Sequence, residues 1–160
     1  MSTQPKIPPS VQKIPSQYPV ITSYLVMRNA AQMIDFYKRA FGARELFRMP
    51  AGDKVAHCEM ELRGFIFMLA DEFPERGAVA PKSTTDHSVG FMIYVEDVDK
   101  AFAHAIECGG KVERPVQDQF YGDRSGTLVD PSGHQWTLAT HVEDVTPEEM
   151  NRRMAKMAQK

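Results

Sequence analysis

The chain has 160 residues, 42% of them hydrophobic and 25% charged, with a formal net charge of -2 at pH 7. That length suits one domain able to bury roughly 70% of its unfolded surface, and the balance is ordinary for a globular protein. It gives no electrostatic footprint for nucleic acid or an anionic membrane, and no apolar run nears the ~20 residues of a bilayer span. The N-terminus lacks the apolar core of a signal peptide, and Cys58 and Cys108 lack metal-type spacing. The expectation is a cytoplasmic protein with two free, buried thiols.

Residues 1–19 carry Pro5, Pro8, Pro9, Pro15 and Pro19 and read as an extended arm, since proline fixes φ and removes a donor. A domain over 20–145 follows. Its first module, 20–71, reads as strand 20–28, helix 29–41 and strands 44–49, 54–63 and 65–70, with Arg63-Gly64 as a tight hairpin turn. Residues 72–86, with Pro74, Gly77, Pro81 and a polar run, form a linker. The second module, 87–141, reads as strand 87–96, helix 97–108 and strands 111–117, 121–129 and 134–140. Asp130-Pro131-Ser132-Gly133 places Asp, Pro and Gly where a β-turn wants them. A C-terminal helix occupies 146–160. Thr146-Pro147-Glu148-Glu149 supplies its cap and first turn, Arg152, Arg153, Lys156 and Lys160 oppose its negative end, and Met150, Met154 and Met157 form an apolar stripe.

The two modules repeat one another. Asn29 and Asp97 correspond as N-caps, and Gly42 and Gly110 correspond where each helix stops in a left-handed conformation. The helices between them carry apolar residues at helical spacing: Ala30, Met33, Ile34, Tyr37 and Phe41 in one, Val98, Ala101, Phe102, Ala105 and Ile106 in the other.

Two βαβββ units in tandem, with Asp35-Phe36-Tyr37-Lys38-Arg39-Ala40-Phe41-Gly42-Ala43 in the first and Asp130-Pro131-Ser132-Gly133-His134 in the second, resemble the vicinal-oxygen-chelate superfamily. That group contains glyoxalase I, bleomycin-resistance proteins, fosfomycin-resistance enzymes and extradiol dioxygenases. The segments Gln119-Phe120-Tyr121-Gly122-Asp123-Arg124-Ser125-Gly126 and Thr140-His141-Val142-Glu143-Asp144-Val145 are similar to its PhnB-like, glyoxalase-like branch. The resemblance spans roughly residues 18–155. It implies an α+β fold in which the two modules form an open barrel around a pocket, with the C-terminal helix appended.

In metal-using members, the resemblance further implies, one inward side chain from the first and one from the last strand of each module grip a divalent ion. Those positions fall near Thr22, Met68, Gly90 and Thr137. A glycine has no donor atom, a thioether is soft and a threonine hydroxyl is a weak ligand. Strand parity turns His87 and His134 away from the pocket, His104 is helical, and His141 shares parity with Thr137 at the strand end. No metal and no other cofactor is expected.

His57 and Glu59 share one strand face, opposite Ala56, Cys58, Met60 and Leu62. They read either as acid–base or polar binding groups or as part of a half-solvated face. Phe120, Tyr121 and Arg124 lie in a Gly-punctuated stretch, where Arg124 either offers a planar fork to an anion or pairs with Asp123 or Asp118. Trp136 should face the helices. The expected pocket lining is Thr22, Tyr24, His57, Glu59, Met68 and Thr137, joined by Phe120, Tyr121 and Arg124. That lining suits a planar or aromatic ligand with an anionic group. The leading expectation is a metal-independent small-molecule-binding protein that forms a homodimer. The alternatives are a lyase, isomerase or dioxygenase with a non-standard metal site, and protein interaction through the arm and tail helix.

Overall fold

The computed structural model describes residues 12–83, 85 and 87–158. Pro5, Pro8 and Pro9 of the arm, Thr84 and Asp86 of the linker, and Lys160 lie outside the described residues. The chain runs β1 (Tyr24–Met27), α1 (Ala30–Phe41), β2 (Arg44–Ala51), β3 (Lys54–Leu62), β4 (Phe65–Asp71), a 3-10 turn (Pro74–Arg76), β5 (Gly90–Tyr94), α2 (Val98–Glu107), β6 (Lys111–Asp118), β7 (Asp123–Val129), β8 (Gln135–His141) and α3 (Pro147–Met157). One sheet has the order β1-β4-β3-β2 and the other β5-β8-β7-β6. The first pair in each is parallel and the rest antiparallel. These are the expected tandem βαβββ modules, as two separate mixed sheets with no closed barrel.

Each helix is fixed at its start by the last strand of its own module. The Asp71 carboxylate at the end of β4 accepts from the Ala30 N–H at 2.8 Å, and the Thr140 hydroxyl near the end of β8 accepts from the Val98 N–H at 2.9 Å. Asn29 and Asp97 add the side-chain caps their sequence promised. The stops differ. Gly42 ends α1 at φ +70, but α2 closes on Cys108 and the positive φ falls at Gly109, not Gly110. Gly110 is small for another reason: a Cβ there would meet the Ala105 carbonyl at 3.0 Å.

β1 begins four residues later than expected. Val20 and Ile21 look like strand residues but are almost fully exposed, and Thr22 lies in a turn where its hydroxyl donates to the Pro19 carbonyl at 3.1 Å. At the other end, α3 buries no side chain; Met154 and Met157 remain exposed. Arg153 ties it down through a two-pronged pair with Glu143 and a bond to the Phe120 carbonyl.

One core serves both modules. Trp136 meets Phe91 at 4.8 Å, Phe41 at 5.0 Å and Tyr37 at 5.4 Å between ring centroids. Beneath it the wholly buried Asp130 side chain accepts from the Tyr37 hydroxyl, the Trp136 indole and the backbone N–H groups of Ser132 and His134. A buried carboxylate is tolerable only when satisfied this fully. The Asp-Pro-Ser-Gly turn is therefore a structural clamp across the module boundary.

Candidate functional site

The helices α1 and α2 cover one face of each sheet and leave the other open. Alternation sends Leu25, Met27, Phe67 and Leu69 to the core and Tyr24, Ile66 and Met68 to the open face. In β3 the ladder slips between Met49 and Pro50, so Val55 joins Cys58 and Met60 inside instead of sharing a face with His57. The two cysteines are free; Cys58 is buried and Cys108 partly exposed. Burial pushes the Cys58 thiol up to about 11, so it is an inert core group.

Strand registers align matching rows across the two open faces. In the first sheet Tyr24 pairs with Met68, Met68 with Glu59 and Glu59 with Phe47. In the second, Met92 pairs with Thr137, Thr137 with Thr127 and Thr127 with Arg114. Of the expected metal positions, Thr22 lies before β1, while Met68, Gly90 and Thr137 lie in strands; across the ladder Tyr24 stands opposite Met68 and Met92 opposite Thr137. The facing set is Tyr24, Met68, Met92 and Thr137. Burial raises the Tyr24 phenol above its ordinary value and keeps it protonated. Two thioethers, a protonated phenol and a neutral hydroxyl do not fit a divalent ion of the family type. Among the described residues, no group of three or more His, Cys, Asp or Glu side chains is placed to hold one.

On the first face Tyr24, His57, Glu59 and Met68 come together as expected, and the arm adds Tyr18. The Tyr24 hydroxyl lies 3.0 Å from His57 Nδ1, and the Tyr18 hydroxyl donates to Glu59 Oε1 at 2.6 Å. His57 Nε2 is 3.6 Å from the same carboxylate oxygen. The Tyr18 phenol is raised chiefly by that bond to Glu59.

The second face holds a cavity of about 170 Å³ lined by Met92, Arg114, Gln117, Gln119, Tyr121, Ser125, Thr127 and Thr137. At the far end of β8, His141 lies 2.8 Å from the buried Asp123 and 2.9 Å from Asp144. The Tyr94 hydroxyl donates to Asp123 at 2.7 Å. The Asp123 contact first, then Asp144, raises the His141 pKa. Thr137 and Tyr121 line the cavity as expected. Phe120 stands beside it, edge-on to Tyr121 at 5.2 Å, with its carbonyl taken by Arg153.

Arg124 does not join them. β7 starts at Asp123, so Arg124 shares a face with Gly126 and Leu128, towards α2. Its guanidinium forks onto Asp99 with two bonds of 2.8 Å and reaches Asp118 at 3.0 Å. No residue of the first module lines the second module's cavity. A larger apolar cleft of about 440 Å³ lies between the modules, lined by residues such as Ile21, Phe65, Ile66, Phe91 and Tyr94.

The segments that carried the narrower resemblance form one joint. Gly122, at φ +101, accepts from the Val142 and Glu143 N–H groups, and a Cβ there would come within 2.1 Å of the Glu143 carbonyl oxygen.

This architecture is that of a two-module glyoxalase-fold protein. A sequence profile of the Glyoxalase/Bleomycin resistance protein/Dioxygenase superfamily matches residues 20–138, and the chain belongs to that family. An uncharacterized protein of Mycobacterium bovis is 37% identical over 141 residues, covering 86% of this chain and 93% of its own length. The crystal structure of TioX from Micromonospora sp. ML1 superposes with a TM-score of 0.60 at 25% identity, covering 76% of this chain and 98% of that one. The PhnB protein of Bacillus cereus gives a TM-score of 0.62 at 21% identity, covering 76% and 99%. No helix of the described residues is long and apolar enough to cross a membrane.

Proposed function

We propose that this protein binds a small molecule on its open sheet faces, without a metal ion, as a homodimer. The observation that carries the reading is the Tyr24, Met68, Met92 and Thr137 set. It replaces hard or borderline ligands with apolar and neutral groups, at the centre of faces that otherwise look built for binding. Tyr24, Phe47 and Met49 on one face and Met92 and Tyr94 on the other are each about half exposed. Apolar groups gathered in this way mark surfaces that are covered in use. A second copy, related by a two-fold axis, supplies the cover, with the Met stripe of α3 and the arm as further contacts.

Elemental analysis of the purified protein, combined with a thermal-shift screen of aromatic acids and cationic drugs, tests the reading. Near one metal per chain surviving dialysis overturns metal independence. A monomer mass by light scattering at micromolar concentration overturns the dimer. The two free cysteines suit a reducing, cytoplasmic setting.

A further inference from the structure

The second module contains a guanidinium with nothing to hold. Arg114 makes no hydrogen bond and no ion pair among the described residues, whereas Arg124 and Arg153 are each engaged by two carboxylates. Its position is built by two irregularities in one strand. The β6–β7 register slips once between Val112 and Arg114 and again between Arg114 and Gln117. Pro115, which cannot donate to a ladder, sits inside the second slip. Arg114 opposes Thr127 and Gln117 opposes Ser125, so three residues of β6 span two of β7. The extra residue brings Arg114 and Gln117 to one face, while Val116 points back towards Gly126 and Phe102. A bulge is a known means of re-aiming a side chain.

What Arg114 meets there is a set of unspent hydrogen-bonding groups. The Ser125 hydroxyl and the Tyr121 phenol have no partner among the described residues, and Thr127 and Thr137 hydroxyls share one bond at 3.0 Å. The adjacent carboxylate, Glu113, is occupied by the Gln135 amide at 2.6 Å and lies 3.7 Å from His87. We propose that Arg114, with the Ser125 and Thr127 hydroxyls, forms an anion subsite for the carboxylate or phosphonate group of an amphipathic small molecule. Met92 and Tyr121 take its apolar part. The planar fork of arginine matches either anion with two parallel bonds, and a cavity of about 170 Å³ admits the head group. This rests on the small-molecule reading above and names the chemistry of its second-module half.

The test uses the full chain, isotope-labelled for backbone NMR, titrated with benzoate, phenylphosphonate and the neutral isostere benzamide. An anionic probe should shift the amides of Arg114, Ser125, Thr127 and Thr137, and benzamide should not. Arg114→Gln should weaken that binding about tenfold or more, and Arg114→Lys should recover part of it. Arg114 is exposed, so the unliganded variant spectra will report an intact fold. The subsite is overturned if benzamide binds equally well, if Arg114→Gln leaves the titration unchanged, or if neither anion shifts these amides at about 50 mM. Binding of benzamide to the second-module face equally in wild type and Arg114→Gln would sink the anion subsite and leave the broader reading standing.

Discussion

The Tyr37 hydroxyl donates to the Asp130 carboxylate at 2.6 Å, joining α1 of the first module to the β7–β8 turn of the second. Burial, reinforced by Asp130, drives the Tyr37 phenol well above its ordinary value, so it is a fixed neutral donor. Burial opposes the charged form of Asp130 as well, but the His134 ring and the Tyr37 hydroxyl outweigh it and hold the carboxyl below its usual range. His134 Nδ1 is 3.6 Å away, so its part is electrostatic and not a hydrogen bond.

Tyr37→Phe should therefore cost about 1–3 kcal/mol, the penalty for leaving a buried charged acceptor one donor short. The depressed Asp130 pKa also gives a sign. Its stabilisation is complete above the ordinary carboxylate value of about 4 and lost as pH falls through the lower folded value. Urea unfolding of wild type and Tyr37→Phe should show the gap narrowing as acid is added. A gap that widens contradicts the assignment.

Gly122→Ala should be among the most damaging single-methyl changes. The new Cβ would meet the Glu143 carbonyl oxygen at 2.1 Å in a backbone conformation of positive φ. Both effects point the same way, so a loss of about 2 kcal/mol or more is expected. Thermal denaturation measures it, and loss of protection from amide exchange at Val142 and Glu143 would localise it.

His141 should titrate above the ordinary imidazole value, because Asp123 and Asp144 both favour its cation. A raised folded pKa stabilises most fully below the unfolded value near 6.5 and loses that contribution as pH rises through the folded one. Ring-proton NMR gives the value directly. Asp123→Asn should lower it, and His141→Gln should remove this alkaline-side loss from the stability profile.

Arg124→Ala should leave the binding of carboxylate probes unchanged. Its fork is spent on Asp99 in the first turn of α2 and on Asp118 at the end of β6. The expected consequence is a small fall in melting temperature that shrinks with added salt, as exposed ion pairs do. Weakened binding of benzoate in this variant would return Arg124 to the site.

The three helices, the hairpin turn at Arg63-Gly64 and the succession of the strands along the chain were legible because they rest on local rules: apolar spacing, caps and residues of positive φ. Face assignments were legible only where strands are regular. Tyr24, His57, Glu59 and Met68 came together because alternation holds around them. Arg124 sits in β7 with Gly126 and Leu128 on the helix-side face, and the partner that holds it there, Asp99, is distant in sequence. Val20 and Ile21 imitated a strand that has no partner to pair with. Arg114 was missed because bulges override alternation, although Pro115 within a strand-like run was the available signal. Tyr18 was invisible for a different reason: nothing local tells an arm which distant carboxylate it will reach.

Trp136, Tyr37 and Asp130 bind the modules from the helix side, away from the open faces. Chemical specialisation and architectural integrity are thereby uncoupled. One half presents imidazole, phenol and carboxylate, the other hydroxyls and a guanidinium, on sheets whose first and last strands pair in parallel in both modules. Randomising Tyr24, Glu59 and Met92 together should give mostly foldable clones. The scaffold is thus a natural starting point for selecting receptors with new ligand preferences.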